Sequence, residues 1–343
     1  MPSGKYYEAL KTLGIAVDTS FYNRYDALES NEDLEALFTL LNKYKDKQGN
    51  TPVLTALSIV ANPDFDRIRK NNFESYFYEP VTQTLKSYGS SHDRVHKLWK
   101  EGKDKGLFYP EFHGREHFHI NRWMRLLREN KQYRQCFEHG FLSIRPDEMG
   151  IAAKSHFPAF DLDNPAEIEV QKNIVKEGIE LFKTIYGYAP KLFVPPNGIV
   201  HREIENYASL LGIDYLYGAK RQAQPKGDGT YSRKFRYTGK RNKQRQLFLG
   251  RNVQFEPAKT GRPDEWNKAL NGIDAAFQLK KPAIISTHRV NYIGFIDAQN
   301  RINGLQQLDN LIKAILTQWP EVEFMTSTQL GELIKKDKEM NEN

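Results

Sequence analysis

Apolar positions along the chain follow two alternating patterns. Short apolar runs of strand length are followed by stretches in which apolar residues return every three or four positions. Residues 13–17 read as a first strand that ends at Asp18. Residues 31–43 predict a helix, because Leu34, Leu37, Phe38 and Leu41 fall at i, i+3, i+4 and i+7. Residues 53–60 are a second strand, stopped by Asn62-Pro63. An extended segment at 106–112 leads to Gly114. A helix is expected from about 115 to 128, with Ile120, Trp123, Met124 and Leu127 on one face. Asn164-Pro165 is the expected cap and first position of a helix that reaches Tyr186 and closes at Gly187. Residues 191–194, 213–216, 247–255, 282–287 and 322–325 read as strands. Residues 201–211, 265–278 and 306–316 read as helices, and the tail is polar. Gly227-Asp228-Gly229 reads as a hairpin turn.

Strands alternating with helices over 343 residues predict an α/β fold on a parallel sheet, open or closed as a barrel. One catalytic domain is expected over residues 1–343, with its core at about 13–335 and a basic hairpin inserted at about 219–246. Active residues of such folds gather at the carboxyl ends of strands. Polar residues directly after the predicted strands are Asp18, Asn62, Asp64, His113, His117, Asn197 and His288.

His113-Gly114-Arg115-Glu116-His117 carries the strongest local signal. Two imidazoles four residues apart share one face of a helical turn, the spacing by which a helix offers two nitrogens to one metal. With nine histidines in the chain, such a pair also arises by chance. His119 points off that face and reads as surface or supporting. Asp18 should reach the same rim, as a third ligand or as a turn cap. His288 follows the apolar run Ala283-Ile284-Ile285, and an imidazole is the side chain best suited to proton transfer near neutral pH, so it is a candidate general acid or base, or a structural histidine bonded to a carbonyl.

Composition narrows the chemistry. The single cysteine, Cys136, excludes a disulfide framework and a thiolate metal site. The net charge of +7 is local: eleven Lys or Arg lie between Lys220 and Arg251 against one acid, Asp228. A general nucleic-acid coat is therefore not expected. What remains is an anion site, with Arg233, Lys234 and Arg236 interleaved with Tyr231, Phe235 and Tyr237, or a solvated basic hairpin. No apolar run approaches the length of a membrane span. The opening Met1-Pro2-Ser3-Gly4-Lys5 has no signal-peptide character, so a cytoplasmic location is expected.

The order of these elements resembles the polysaccharide deacetylase family with the nodulation-type homology domain. An aspartate after strand one is followed by His-x-x-x-His, then Pro195-Pro196-Asn197-Gly198, then a late strand ending in His288. Phe112-His113-Gly114-Arg115-Glu116-His117, Asn62-Pro63-Asp64-Phe65 and Thr287-His288-Arg289-Val290-Asn291 look like a divergent bacterial branch of it. The resemblance implies a distorted (β/α) barrel, related to deacetylases and glycoside hydrolases. It also implies a metal-dependent removal of N- or O-acetyl groups from a carbohydrate, in cell-surface polysaccharide metabolism. Carried over, Asp18, His113 and His117 hold the metal, and His288 is the general acid. Pro195, Pro196 and Gly198 form a groove wall, with Asn197, Arg289, Asn62 and Asp64 as further substrate contacts. Zinc suits two histidines and a carboxylate; cobalt, nickel or iron(II) also fit. The family's first motif usually has two adjacent aspartates, whereas Asp18 stands between Val17 and Thr19. The base is then Asp18 itself, Glu116 or Asp64, or none is needed. The family's Arg before the Pro-Pro turn is Val194 here, and its small hydroxyl after the first His is Gly114. A nucleic-acid binder built on the basic segment ranks last among the rivals, and two other readings stand before it. One is a catalytically weak or inactive sugar-binding relative. The other is a glycosidase on a related barrel, using Asp18 with Asp64 or Glu256. The substrate expected is an acetylated sugar, carried on a nucleotide or a lipid pyrophosphate.

Overall fold

Five parallel strands form the central sheet of the computed structural model, which describes residues 4–15, 20–142 and 144–342. In spatial and chain order they are β1 (Leu54–Ile59), β2 (Phe108–Gly114), β3 (Leu192–Phe193), β4 (Tyr215–Tyr217) and β5 (Leu247–Leu249). Phe112, Leu192, Phe193, Leu216 and Leu247 are all buried, which is why these strands read as apolar runs with no alternation. A separate parallel pair follows, β6 (Val253–Gln254) with β7 (Ile285–Ser286). Helices α1 (Asn31–Leu41) and α2 (Val95–Asp104) pack together, and α2 and α3 (Glu167–Tyr186) cover β2. Further along the chain α5 (Glu265–Gln278) lies on α6 (Ala298–Gln318), and α4 (Arg202–Leu210) packs against α3. Apolar side chains from all six join one core with Val60, Phe160 and Phe255. Among the described residues, no helix is long and apolar enough to cross a membrane.

Several expectations change. Residues 13–15 are not strand: the amides of Leu13 and Gly14 bond back to Ala9 and Lys11, and Gly14, at φ +73°, ends a helix spanning Gly4–Thr12. Ala16, Val17 and Asp18 lie outside the described residues. The run 247–255 splits at Gly250 into β5 and β6. Next to the break, the Asn252 side chain takes over ladder bonds, accepting from the Ile284 amide at 2.7 Å and donating to the Pro282 carbonyl at 2.9 Å. Residues 322–325 form no strand, and the polar tail is a helix, Ser327–Glu342. Among the described residues, hydrogen bonding runs through an open five-stranded sheet and three detached two-stranded pairs, and not around a closed ring. The parallel α/β architecture is as expected, and barrel closure is not seen.

The sheet also sets up the site. Ser58 pairs with Phe112 and Ile59 with Gly114, so His113 is an extra residue in β2. Such a bulge disrupts the ladder locally and re-aims a side chain.

Candidate active site

His113 and His117 come together, but not on a helix. His113 is the bulged residue of β2, and His117 lies in the loop before the helix Ile120–Glu129. Between them Gly114 has φ +142°, a conformation open essentially to glycine alone. A Cβ there would stand 3.0 Å from the Glu116 carbonyl oxygen. The resulting turn brings the two imidazole centroids to 5.1 Å. Arg115 pins the loop from behind: it pairs with Glu116 and Glu177 and lies 4.2 Å over the Tyr78 ring. Nδ1 of His113 is 2.5 Å from the Val194 carbonyl oxygen. A carbonyl only accepts, so Nδ1 carries the proton and Nε2 presents its lone pair. Both rings line one cavity, His113 half-buried and His117 reaching solvent at its edge. Burial, with His117 adding repulsion, pulls His113 down to about 3. Burial pulls His117 down to about 4. Both are therefore neutral at pH 7, as metal ligation requires.

His288 follows β7 and reaches the same cavity. Its Nδ1 is 2.5 Å from Oε1 of Glu256, the second residue after β6. The parallel pairing of β6 with β7 places these two residues side by side. The carboxylate is fixed in turn, because Oε2 accepts from the Asn291 side chain at 2.8 Å. Asn291 is fully buried, and its oxygen accepts from the Ala258 amide at 2.9 Å. Glu256 thus accepts the hydrogen bond from Nδ1–H and leaves Nε2 of His288 for the cavity. Tyr22 meets the His288 ring edge-on at 5.6 Å. Burial first, then the Glu256 and Asp26 charges, raise the Tyr22 hydroxyl, so it stays a protonated donor.

Of the expected substrate contacts, Asn62, Pro195, Asn197, Gly198 and Arg289 line this cavity together with His113, His117 and His288. Asn197 holds φ +57° at the turn, and Pro196 is buried beneath it. Arg289 is already engaged: it donates to Asp26 at 3.2 Å and to Glu29 at 3.1 Å. Burial opposes its charge, but those two carboxylates raise it further. Asp64 caps the helix Phe65–Lys70 by accepting from the Arg67 amide at 2.9 Å, and so is occupied at a helix end. Glu116 is buried against Arg115 and Tyr76. His119 is not at the surface; it is 4 % exposed and caps the helix Ile120–Glu129.

Among the described residues, one set of three ligating side chains lies within 4.8 Å, and it is His119, Asp163 and Glu167. Arg122 holds Asp163 at 2.8 Å and Lys154 holds it at 3.1 Å, so that set already has its cations. The pair His113 and His117 offers the freer nitrogens. The sequence reading weighed Glu256 only as a glycosidase carboxylate, and passed over Tyr22 and Arg251, which lines the cavity after β5. Glu256 has the signal applied to the others, a polar residue at the end of an apolar run.

No family model matches the chain, and no curated protein matches it. Among solved structures it is similar to a protein described as a polysaccharide deacetylase from Mycobacterium smegmatis, with TM-score 0.46 and 11 % identity over 97 % of this chain and 87 % of that one. A protein so described from Pseudomonas aeruginosa PAO1 gives TM-score 0.38 and 11 % identity over 76 % and 80 %. IcaB from Ammonifex degensii gives 0.24 and 15 % over 39 % of this chain, and the match spans 43 % of IcaB. At such scores the reading of the site rests on its own residues.

Proposed function

We propose that the chain is a metal-dependent hydrolase that removes an acetyl group from a carbohydrate. One observation carries the reading: three imidazoles, two from the end of β2 and one from beyond β7, open into one cavity, two of them held neutral at pH 7 and the third braced by a carboxylate. The residues fit a divalent ion, since the Val194 carbonyl fixes the His113 tautomer that leaves Nε2 for ligation. His113 and His117 would hold it, with Asp18 as the third ligand. Zinc, cobalt, nickel or iron(II) would supply Lewis acidity toward water and the acetyl carbonyl.

The chain's own groups do the rest. His288 delivers a proton through Nε2 to the departing amine or alcohol, and Glu256 keeps that nitrogen aimed and steadies the charged ring. Tyr22 donates a hydrogen bond beside it. Pro195, Asn197 and Gly198 wall the sugar. Arg289 ties Asp26 and Glu29 into the opposite wall. The sugar is linked to an anionic carrier and belongs to cell-surface polysaccharide metabolism, with the reaction taking place in the cytoplasm. Acetate release from N- and O-acetylated sugars, together with elemental analysis, tests the reading. One divalent ion per chain is expected, lost with activity in His113→Ala/His117→Ala. Equal metal in that double variant, or no acetate release by the metal-loaded protein from any acetylated sugar, rejects it.

A further inference from the structure

The basic hairpin is docked, and it points its unused charge and aromatic surface outward. Its strands, Arg221–Pro225 and Tyr231–Phe235, pair antiparallel, with Arg221 opposite Phe235 and Ala223 opposite Arg233. Residues directly opposite share a face, so Arg221, Arg233 and Phe235 stand on one side. The other side turns Gln222 and Gln224 inward, both buried. Two anchors hold the hairpin. At its base, Arg236 pairs with Glu205 at 2.6 and 2.7 Å and lies 4.0 Å over the Phe248 ring. Toward the tip, the Tyr231 hydroxyl donates to Asp161 at 2.8 Å.

Two aromatic rings remain on the surface, Phe235 at 53 % and Tyr237 at 55 % exposure, with centroids 6.2 Å apart. Large apolar rings left in water beside one another mark a contact surface more often than chance does. Lysines sit against both, Lys220 at 5.6 Å from the Phe235 centroid and Lys240 at 5.7 Å from that of Tyr237. Among the described residues, Arg221, Arg233 and Lys234 pair with no carboxylate. Lys220 and Tyr237 also line the cavity that holds His113, His117 and His288. One ring and one cation of this face, Tyr237 and Lys220, therefore belong to the wall of that cavity.

We propose that this hairpin face binds a nucleoside diphosphate, the carrier end of a nucleotide-linked sugar whose acetylated ring lies against the three histidines. The base stacks on Phe235 and Tyr237. The diphosphate lies among Lys220, Arg221 and Arg233, where a guanidinium grips phosphate oxygens two at a time. Rings and charges on one face favour this occupant over a lipid diphosphate, which brings anions but no aromatic plane. The proposal rests on reading the cavity as a sugar site.

Its test is binding, not turnover. Uridine diphosphate is titrated calorimetrically into the full chain, with inorganic pyrophosphate as the second probe. The diphosphate nucleotide should bind the parent chain and His113→Ala/His117→Ala alike. Phe235→Ala/Tyr237→Ala should weaken it about tenfold or more, the scale of one base on an aromatic platform. Arg221→Gln/Arg233→Gln should weaken it comparably, with the remaining binding less sensitive to salt. Pyrophosphate should bind more weakly and ignore the aromatic substitution. No binding to the parent chain, or binding by both hairpin variants as tight as that of the parent chain, overturns the proposal. So does pyrophosphate binding as tightly as the nucleotide, which would favour a lipid diphosphate. Because this readout needs no acetate release, it stands or falls separately from the deacetylase reading. The substituted side chains are exposed, and circular dichroism confirms that the variants fold.

Discussion

His288 can act through one nitrogen because Glu256 occupies the other. Replacing His288 by Ala should cost about 10²- to 10⁴-fold in kcat. Glu256→Gln keeps the size and one hydrogen-bonding oxygen but removes the charge that steadies the protonated ring. It should lower kcat by about tenfold or more, short of the loss of the acid itself, while KM and metal content hold. Steady-state kinetics with elemental analysis checks this, and a change in KM alone would assign Glu256 to the substrate. The three histidines are legible in the sequence as polar residues after apolar runs. Their partners are not, because what selects them lies elsewhere in the chain. Val194 acts through a backbone carbonyl, which no side-chain pattern reports. Glu256 meets His288 across 32 residues, through a two-residue strand pairing.

At the scale of elements, the His113–His117 juxtaposition depends on one turn. The four-residue spacing suggests a helix face, and the structure makes the same approach with a bulged strand and a glycine. The reason is local: φ +142° at Gly114 ends the strand and cannot begin a helix. Gly114→Ala should destabilise the fold by about 1–3 kcal/mol and lower metal content, since the new Cβ meets the Glu116 carbonyl. Denaturant titration and elemental analysis read the two effects. The longer elements are legible from period alone. α5 spans the expected residues 265–278, and α1, α3 and α4 fall within a few residues of expectation. β7 shrinks to two residues from the expected six. The hairpin gives a second test. Glu205 and Arg236 are both buried, so Arg236→Ala strands a carboxylate and should cost about 3–5 kcal/mol. Arg236→Met/Glu205→Leu, which removes both charges, should cost clearly less in the same titration.

At the scale of the molecule, stability should depend on pH through histidines kept neutral. His156 is fully buried, its Nε2 3.0 Å from the Leu142 carbonyl, and burial pulls it down to about 4. The unfolded chain binds that proton near pH 6.5, so between about 6.5 and 4 the unfolded state holds more protons than the native one. Stability is therefore complete above that window and falls as pH drops through it, by about 3 kcal/mol for this residue. His156→Gln should have lower stability at pH 7 and a flatter profile between pH 6.5 and 4; an unchanged slope in thermal unfolding across that range would remove His156 from the account.

The Arg289 clasp has a further consequence, in time. Its guanidinium joins Asp26 across 263 positions, and Asp26, Tyr22 and His288 line one cavity. A ribosome adding about 5–20 residues per second takes roughly 13–53 s to cover that distance. Throughout that interval the first wall of the chamber has no second wall. A nascent chain arrested before residue 289 should therefore present Tyr22 and Asp26 to solvent, and chaperones would meet the protein with that cavity still in two unjoined halves.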